Sequence, residues 1–285
     1  MTFTEFLIAR GKNLMAELLE NKDWQTLSTL HDVLIQMLRE YYMVGGMPEA
    51  VNVFIETNDA NSVREVQREI LLAYKNDISK HTTKEQSQRI AMVWNSMPSQ
   101  LSKENKKFIY GVVKKGGRAN EFELAIQWLI DAGLIIKVGR ITTPSMPLKV
   151  YEDLSAFKLY LLDVGLLGAM AEINPVQLLL PNDMKESKRM FTENFVCTQL
   201  ATQFNSSLFY YSKENSTLEI DFFVQKETQI VPIEVKAEIN VKSKSLSTIL
   251  QNNEEMFGVR FSMNPYRQQE RMVNIPLYCA EVYFK

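Results

Sequence analysis

Apolar residues recur at helical spacing through the first hundred positions, then give way to a mixture of helical and alternating patterns. Residues 3–19 and 27–42 are periodic and predict two helices, the second stopped by Gly45-Gly46. Pro48 suits the first position of the next helix, where its missing N–H costs nothing. The Gly-Gly-x-Pro stretch therefore reads as a helix–helix corner. Further helices are expected over 62–74 and 85–96.

Between 101 and 170 the pattern changes. A short helix is expected over 107–114 with Phe108, Ile109, Val112 and Val113 inward, followed by a turn at Gly116-Gly117. Residues 121–132 place Phe122, Ala125, Ile126, Leu129 and Ile130 on one helical face, closed by Gly133. A β-rich run at 134–141, a loop at 142–147 and a return at 148–151 complete an order that resembles a winged helix. Residues 157–162 read as a strand, 165–170 as a helix or turn, and 177–188 as a connector. The last part predicts a helix over 190–204, strands over 207–212, 217–224 and 230–236, a helix over 242–252 and a terminal apolar run at 276–284.

The candidate chemistry lies in two of these strands. Strict alternation puts Leu218, Ile220, Phe222 and Val224 on one face, with Glu219, Asp221 and Phe223 on the other. In the next run Val231, Ile233 and Val235 share a face, opposite Glu234 and Lys236. A hairpin that sets Val224 against Val231 also sets Asp221 against Glu234. Glu193 falls on the edge of the apolar face of the 190–204 helix, where a carboxylate is costly to desolvate without compensation. A divalent metal shared with Asp221 and Glu234 would compensate it, and so would a pairing with Lys236 or Lys213.

Glu193, Asp221 and Glu234-Val235-Lys236 in this order resemble the PD-(D/E)XK nuclease superfamily, in the form seen in Holliday-junction resolvases. More widely, the segments 42–50, 157–167, 193–196 and 233–236 resemble the region behind the ATPase core in a large prokaryotic family of AAA+-type ATPases. That resemblance implies an α+β chain: a helical lid-like segment at 1–100, a winged-helix-like segment at 101–175 and a restriction-endonuclease-like α/β domain at 176–285. It implies Glu193, Asp221 and Glu234 as ligands of Mg2+ or Mn2+, Lys236 as the fourth catalytic residue, and phosphodiester hydrolysis as the reaction. The alternative is a non-catalytic DNA- or protein-binding regulatory module with a decayed nuclease fold. Gly11-Lys12-Asn13 lacks the upstream glycine and the hydroxyl residue of a P-loop, so no nucleotide binding is expected and the chain reads as the part behind such a core.

Composition narrows partners and compartment. Net charge is −2 over 285 residues. Residues 101–150 carry 9 basic and 4 acidic side chains and form the one locally basic segment. Lys106, Lys107, Lys114, Lys115 and Arg118, with Lys242 and Lys244 further on, are the candidate nucleic-acid contacts. Against this, the 121–132 helix shows Glu121, Glu123 and Asp131, which phosphates repel. No apolar run approaches the ~20 residues of a membrane span. The N-terminus does not read as a signal peptide and two cysteines are too few for a disulfide framework, so a cytoplasmic protein is expected. His31 and His81 read as solvated or capping groups.

Overall fold

The computed structural model describes residues 1–180, 185–204, 207–213, 216–238 and 243–285. The expected N-terminal helix over 3–19 is two helices, α1 (Phe3–Ala9) and α2 (Asn13–Glu20). Gly11 lies between them at φ +69°, a left-handed conformation that ends a helix. Next come α3 (Trp24–Thr29) and α4 (His31–Val44), then α5 (Pro48–Thr57), which opens on its proline. The long α6 (Ala60–His81) and α7 (Lys84–Leu101) follow, the latter started by a capping box between Thr83 and Gln86.

The middle segment has α8 (Tyr110–Val113), α9 (Ala119–Asp131), β1 (Ile135–Ile141) and β2 (Glu152–Leu161). The helix expected over 107–114 keeps only its second half. Lys107 instead bridges Lys158 across β2, and the Phe108 amide donates to the Phe157 carbonyl. Phe108 is thereby buried and Ile109 exposed.

Then come α10 (Val164–Met170), α11 (Pro175–Leu179), α12 (Lys185–Phe204), β3 (Phe209–Ser212), β4 (Glu219–Lys226) and β5 (Gln229–Lys236). The chain closes with α13 (Lys244–Asn252), β6 (Gly258–Ser262), β7 (Arg267–Gln268) and β8 (Met272–Pro276). The strands form one mixed eight-stranded sheet in the order β2-β1-β3-β4-β5-β6-β8-β7. β1 runs parallel to β3, so the hairpin of the middle segment and the strands of the last segment share one ladder.

The fold is mixed α+β, with α12 and α13 on opposite faces of the sheet. Phe191, Phe195 and Val196 of α12 belong to the apolar cluster that contains Phe222, Ile233, Val235 and Phe261. This cluster continues into the N-terminal helices through Phe3, Phe6, Tyr41 and Tyr42. Leu246, Ile249 and Leu250 of α13 pack with Ile141, Phe209, Ile220 and Phe223 in a second cluster.

Ile220 and Phe222 thus face opposite sides, against strict alternation. The cause is a bulge: Phe209 pairs with Phe223 but Tyr211 with Ile220, so β4 carries one residue more than β3 across this stretch. Asp221 sits inside it. Sequence parity does not register an inserted residue that leaves composition unchanged.

Candidate functional site

Val224 stands opposite Val231, and the β4–β5 pairing runs from Lys226↔Gln229 to Phe222↔Ile233. At the next position the amide of Val235 donates to Asp221 Oδ2 at 2.8 Å. The side chain of Asp221 therefore takes a main-chain donor where the strands part.

Glu193 comes to the same region from α12 and is fully buried. Its Oε1 accepts from Lys106 Nζ at 2.8 Å and from Arg189 Nε at 2.7 Å, one helical turn earlier. The Tyr160 hydroxyl donates to Oε2 at 3.4 Å. Lys158, buried on β2, pairs with Glu219 and lies with its Nζ 4.7 Å from the centroid of the Tyr210 ring. Arg189 also stands 4.0 Å from Asp221 Oδ1. Three cations and three carboxylates thus interlock, drawn from the segment before α8, from β2, from α12 and from β4.

Burial alone would push the Glu193 carboxyl up, but the charges of Lys106, Lys158 and Arg189 outweigh it and hold the group well below the usual carboxylate range. Asp221 goes the other way. Burial and the neighbouring Glu193 charge raise it, and Lys158, the Val235 amide and Arg189 offset this only in part. The Lys158 ammonium is raised despite its burial, because Glu219, Glu193 and Asp221 surround it. Lys106 is lowered: burial dominates, and Arg189 and Lys158 repel it while sharing Glu193.

Glu234 and Lys236 lie elsewhere. Ile233 and Val235 face α12, so Glu234 faces α13, next in register to Arg260 of β6. Lys236 Nζ is 2.7 Å from Glu234 Oε1, and Glu234 Oε2 is buried with no hydrogen-bond partner among the described residues. Arg260 donates to Asn274 Oδ1 at 2.9 Å and to the Ser243 hydroxyl at 3.2 Å, at the start of α13. Glu193 and Asp221 are therefore brought together, while Glu234 and Lys236 pair with each other on the other face. Among the described residues no group of three or more His, Cys, Asp or Glu is placed to hold a metal ion. As arranged, both Glu193 oxygens and Asp221 Oδ2 accept hydrogen bonds from protein donors.

The surface cations also differ from expectation. Lys106 is not a surface residue: its ammonium is buried against Glu193 and cannot meet a phosphate. Lys107 is half-buried, Lys114 pairs with Glu121 at 3.7 Å, and Lys115, Arg118 and Lys244 are exposed. Lys242 lies outside the described residues. His31 is not a solvated group either. Its ring joins the Tyr278 hydroxyl at 3.0 Å and the Met263 carbonyl at 2.9 Å, tying α4 to the C-terminal segment.

Two cations of this network left a trace in the sequence. Arg189 is four residues before Glu193 and becomes visible once the helix is extended toward its N-terminus. Lys158 is the one charge in the apolar run 156–162. Lys106, 87 residues away, left none.

Residues 35–177, half of the chain, match the family described as domain of unknown function (DUF8612). This chain belongs to the DUF8612 family. Residues 188–280 match a second family, domain of unknown function (DUF4143), which is often found at the C-terminus of AAA-ATPase-like proteins. No curated protein and no solved structure matches the chain. In this DUF8612 protein the boundary between the two matched regions falls between β2 and α12, and the ion network around Glu193 crosses it. Lys106 and Lys158 come from the first region, Arg189, Glu193, Glu219 and Asp221 from the second. Among the described residues no helix is long and apolar enough to cross a membrane.

Proposed function

We propose that this chain is a non-catalytic regulatory module of an AAA-ATPase-like protein, which contacts a protein partner through a winged-helix-like segment seated on a nuclease-like core. The observation that carries this reading is the pairing of buried Glu193 with Lys106 and Arg189. A carboxylate that would serve as a metal ligand in an active PD-(D/E)XK site is here engaged by the protein's own cations. The network fastens the two segments together, since Lys106 and Lys158 reach across to Glu193 and Glu219.

The order α7, α8, α9, β1, β2, with Lys107 in an antiparallel bridge to β2, supports a winged-helix-like reading of the middle segment. Its surface favours protein over DNA. Leu124 of α9 is 77% exposed, and Val150 and Leu154 beside the 142–151 loop are 71% and 75% exposed. Glu123 and Asp131 are the exposed charges of α9.

Thermal melts of the full chain with and without millimolar Mn2+ test the proposal. The midpoint should not move, because a ligand stabilises only by binding the folded state better than the unfolded one. Duplex DNA should be neither cleaved nor bound in a salt-dependent manner. A metal-dependent rise in midpoint that Asp221→Asn abolishes, together with Mn2+-dependent cleavage, would restore the nuclease.

A further inference from the structure

Among the described residues, the buried guanidinium of Arg64 on α6 has only carbonyl partners. It is 5% exposed, donates to the carbonyls of Gly165 at 3.5 Å and Ile173 at 3.2 Å, and its Nε has no acceptor. A buried cation is ordinarily matched by a carboxylate, because full desolvation without a counter-charge is costly. Arg64 has no such match among the described residues. Burial, aided by the charge of Arg68 one turn later, pushes its guanidinium down to about 10.

The two arginines line one open cavity of about 410 Å³, together with Asn61, Asn174, Glu65 and Glu172. Glu65 and Glu172 are exposed, and among the described residues neither forms an ion pair with Arg64 or Arg68. Two arginines and two amide side chains among the lining residues offer positive charge and donors to a group carrying several oxygens. Arg68, which is exposed, presents a planar fork that matches such a group with two parallel hydrogen bonds, while Arg64, whose Nη atoms already donate to carbonyls, adds its positive charge beside it. The volume holds a small ligand.

We propose that Arg64, Arg68, Asn61 and Asn174 form a binding site for a tetrahedral oxyanion, either inorganic phosphate or the phosphate of a monoester. The ligand supplies the counter-charge that Arg64 lacks, and it bridges α6 to the segment between α10 and α11. The site is separate from the Glu193 network and does not depend on the function proposed above.

Thermal melts and calorimetric titrations of the full chain with inorganic phosphate, at ionic strength held constant with chloride, test this. A saturable rise in midpoint is expected, with affinity about tenfold weaker or worse in Arg68→Ala, the loss of roughly one charge-assisted contact. Arg68 is exposed, so this variant keeps the fold even if Arg64→Met does not. A parallel titration with a phosphate monoester such as glycerol phosphate distinguishes the two sources. Tighter binding of the ester than of phosphate assigns a phosphorylated metabolite, and the reverse assigns the free ion. Absence of a saturable rise, a rise unchanged in Arg68→Ala, or an equal rise with acetate would each overturn the proposal.

Discussion

Glu193 and Lys106 are each 1% exposed in their side chains and 2.8 Å apart, so the worth of this pair is decided by desolvation more than by Coulomb attraction. Removing one partner strands the other. Lys106→Met should therefore cost about 3–5 kcal/mol of stability in denaturant unfolding, whereas Lys106→Met combined with Glu193→Gln should cost clearly less than the sum of the single changes. Additive effects would show that the two side chains act separately. Asp221 makes a second prediction. Its carboxyl is raised in the fold, so the folded chain holds a proton that the unfolded chain has released. That contribution is fully present below the unfolded value near the ordinary carboxylate range and is lost as pH rises through the folded one. Glu193 has the opposite sign and loses its contribution as pH falls through its lowered value. Asp221→Asn should thus flatten the decline in stability above the ordinary carboxylate range, as read from melts across pH, and leave the acid limb intact. An unchanged decline in the variant would remove Asp221 from the account.

At the scale of elements, two glycines of similar φ contrast an open position with a close approach. Gly11 ends α1 at φ +69° with open space around it. Gly45 ends α4 at φ +76°, and a Cβ there would meet the Asp163 carboxylate inside contact distance. Asp163 is buried, accepts from the Gly46 amide at 2.6 Å and from the Leu166 amide at 2.8 Å, and so caps α10 while holding the corner after α4. Gln67 of α6 closes the same joint by donating to the Met43 and Val44 carbonyls, each at 2.9 Å. Gly11→Ala should cost about 1 kcal/mol, the left-handed penalty alone. Gly45→Ala should cost about 3 kcal/mol or more, because its φ +76°, ψ −168° backbone is one that essentially only glycine adopts and because Asp163 must move and leave buried amides without an acceptor. Equal losses in urea unfolding would contradict the joint. The Gly-Gly-x-Pro corner and the Asp163-Val164-Gly165 turn, far apart in sequence, are thus two halves of one fastening.

For the whole molecule the decisive contact is β1 against β3. It makes the hairpin of the middle segment part of the same sheet as the last segment, with Lys106–Glu193 and Lys158–Glu219 spanning the junction. The N-terminal helices are tied in as well. The Phe3 amide donates to Gln199 of α12 at 2.9 Å, and His31 reaches Tyr278. Such shared packing predicts one cooperative unfolding transition. The tryptophans report it from separate places, Trp24 on α3, Trp94 on α7 and Trp128 on α9. Their fluorescence and the far-ultraviolet circular dichroism should give coincident thermal curves. Separated midpoints would show that the segments melt independently.

The sequence by itself determined most helices, the strands that carry Asp221 and Glu234, and the register that sets Val224 against Val231. These depend on periodicity and turn residues, which are local properties of the chain. It also placed Glu193 on a helix edge where some cation had to meet it. β6 and β8 were missed. They are short, buried runs whose strand character comes from a parallel neighbour rather than from alternation. The bulge at Asp221, the identity of Lys106 as the partner of Glu193, and the separation of Glu193 from Glu234 by the thickness of the sheet were decided only in three dimensions. Each depends on which distant segments pack together, and the free energy of a buried charge is set by those neighbours rather than by its own position in the chain.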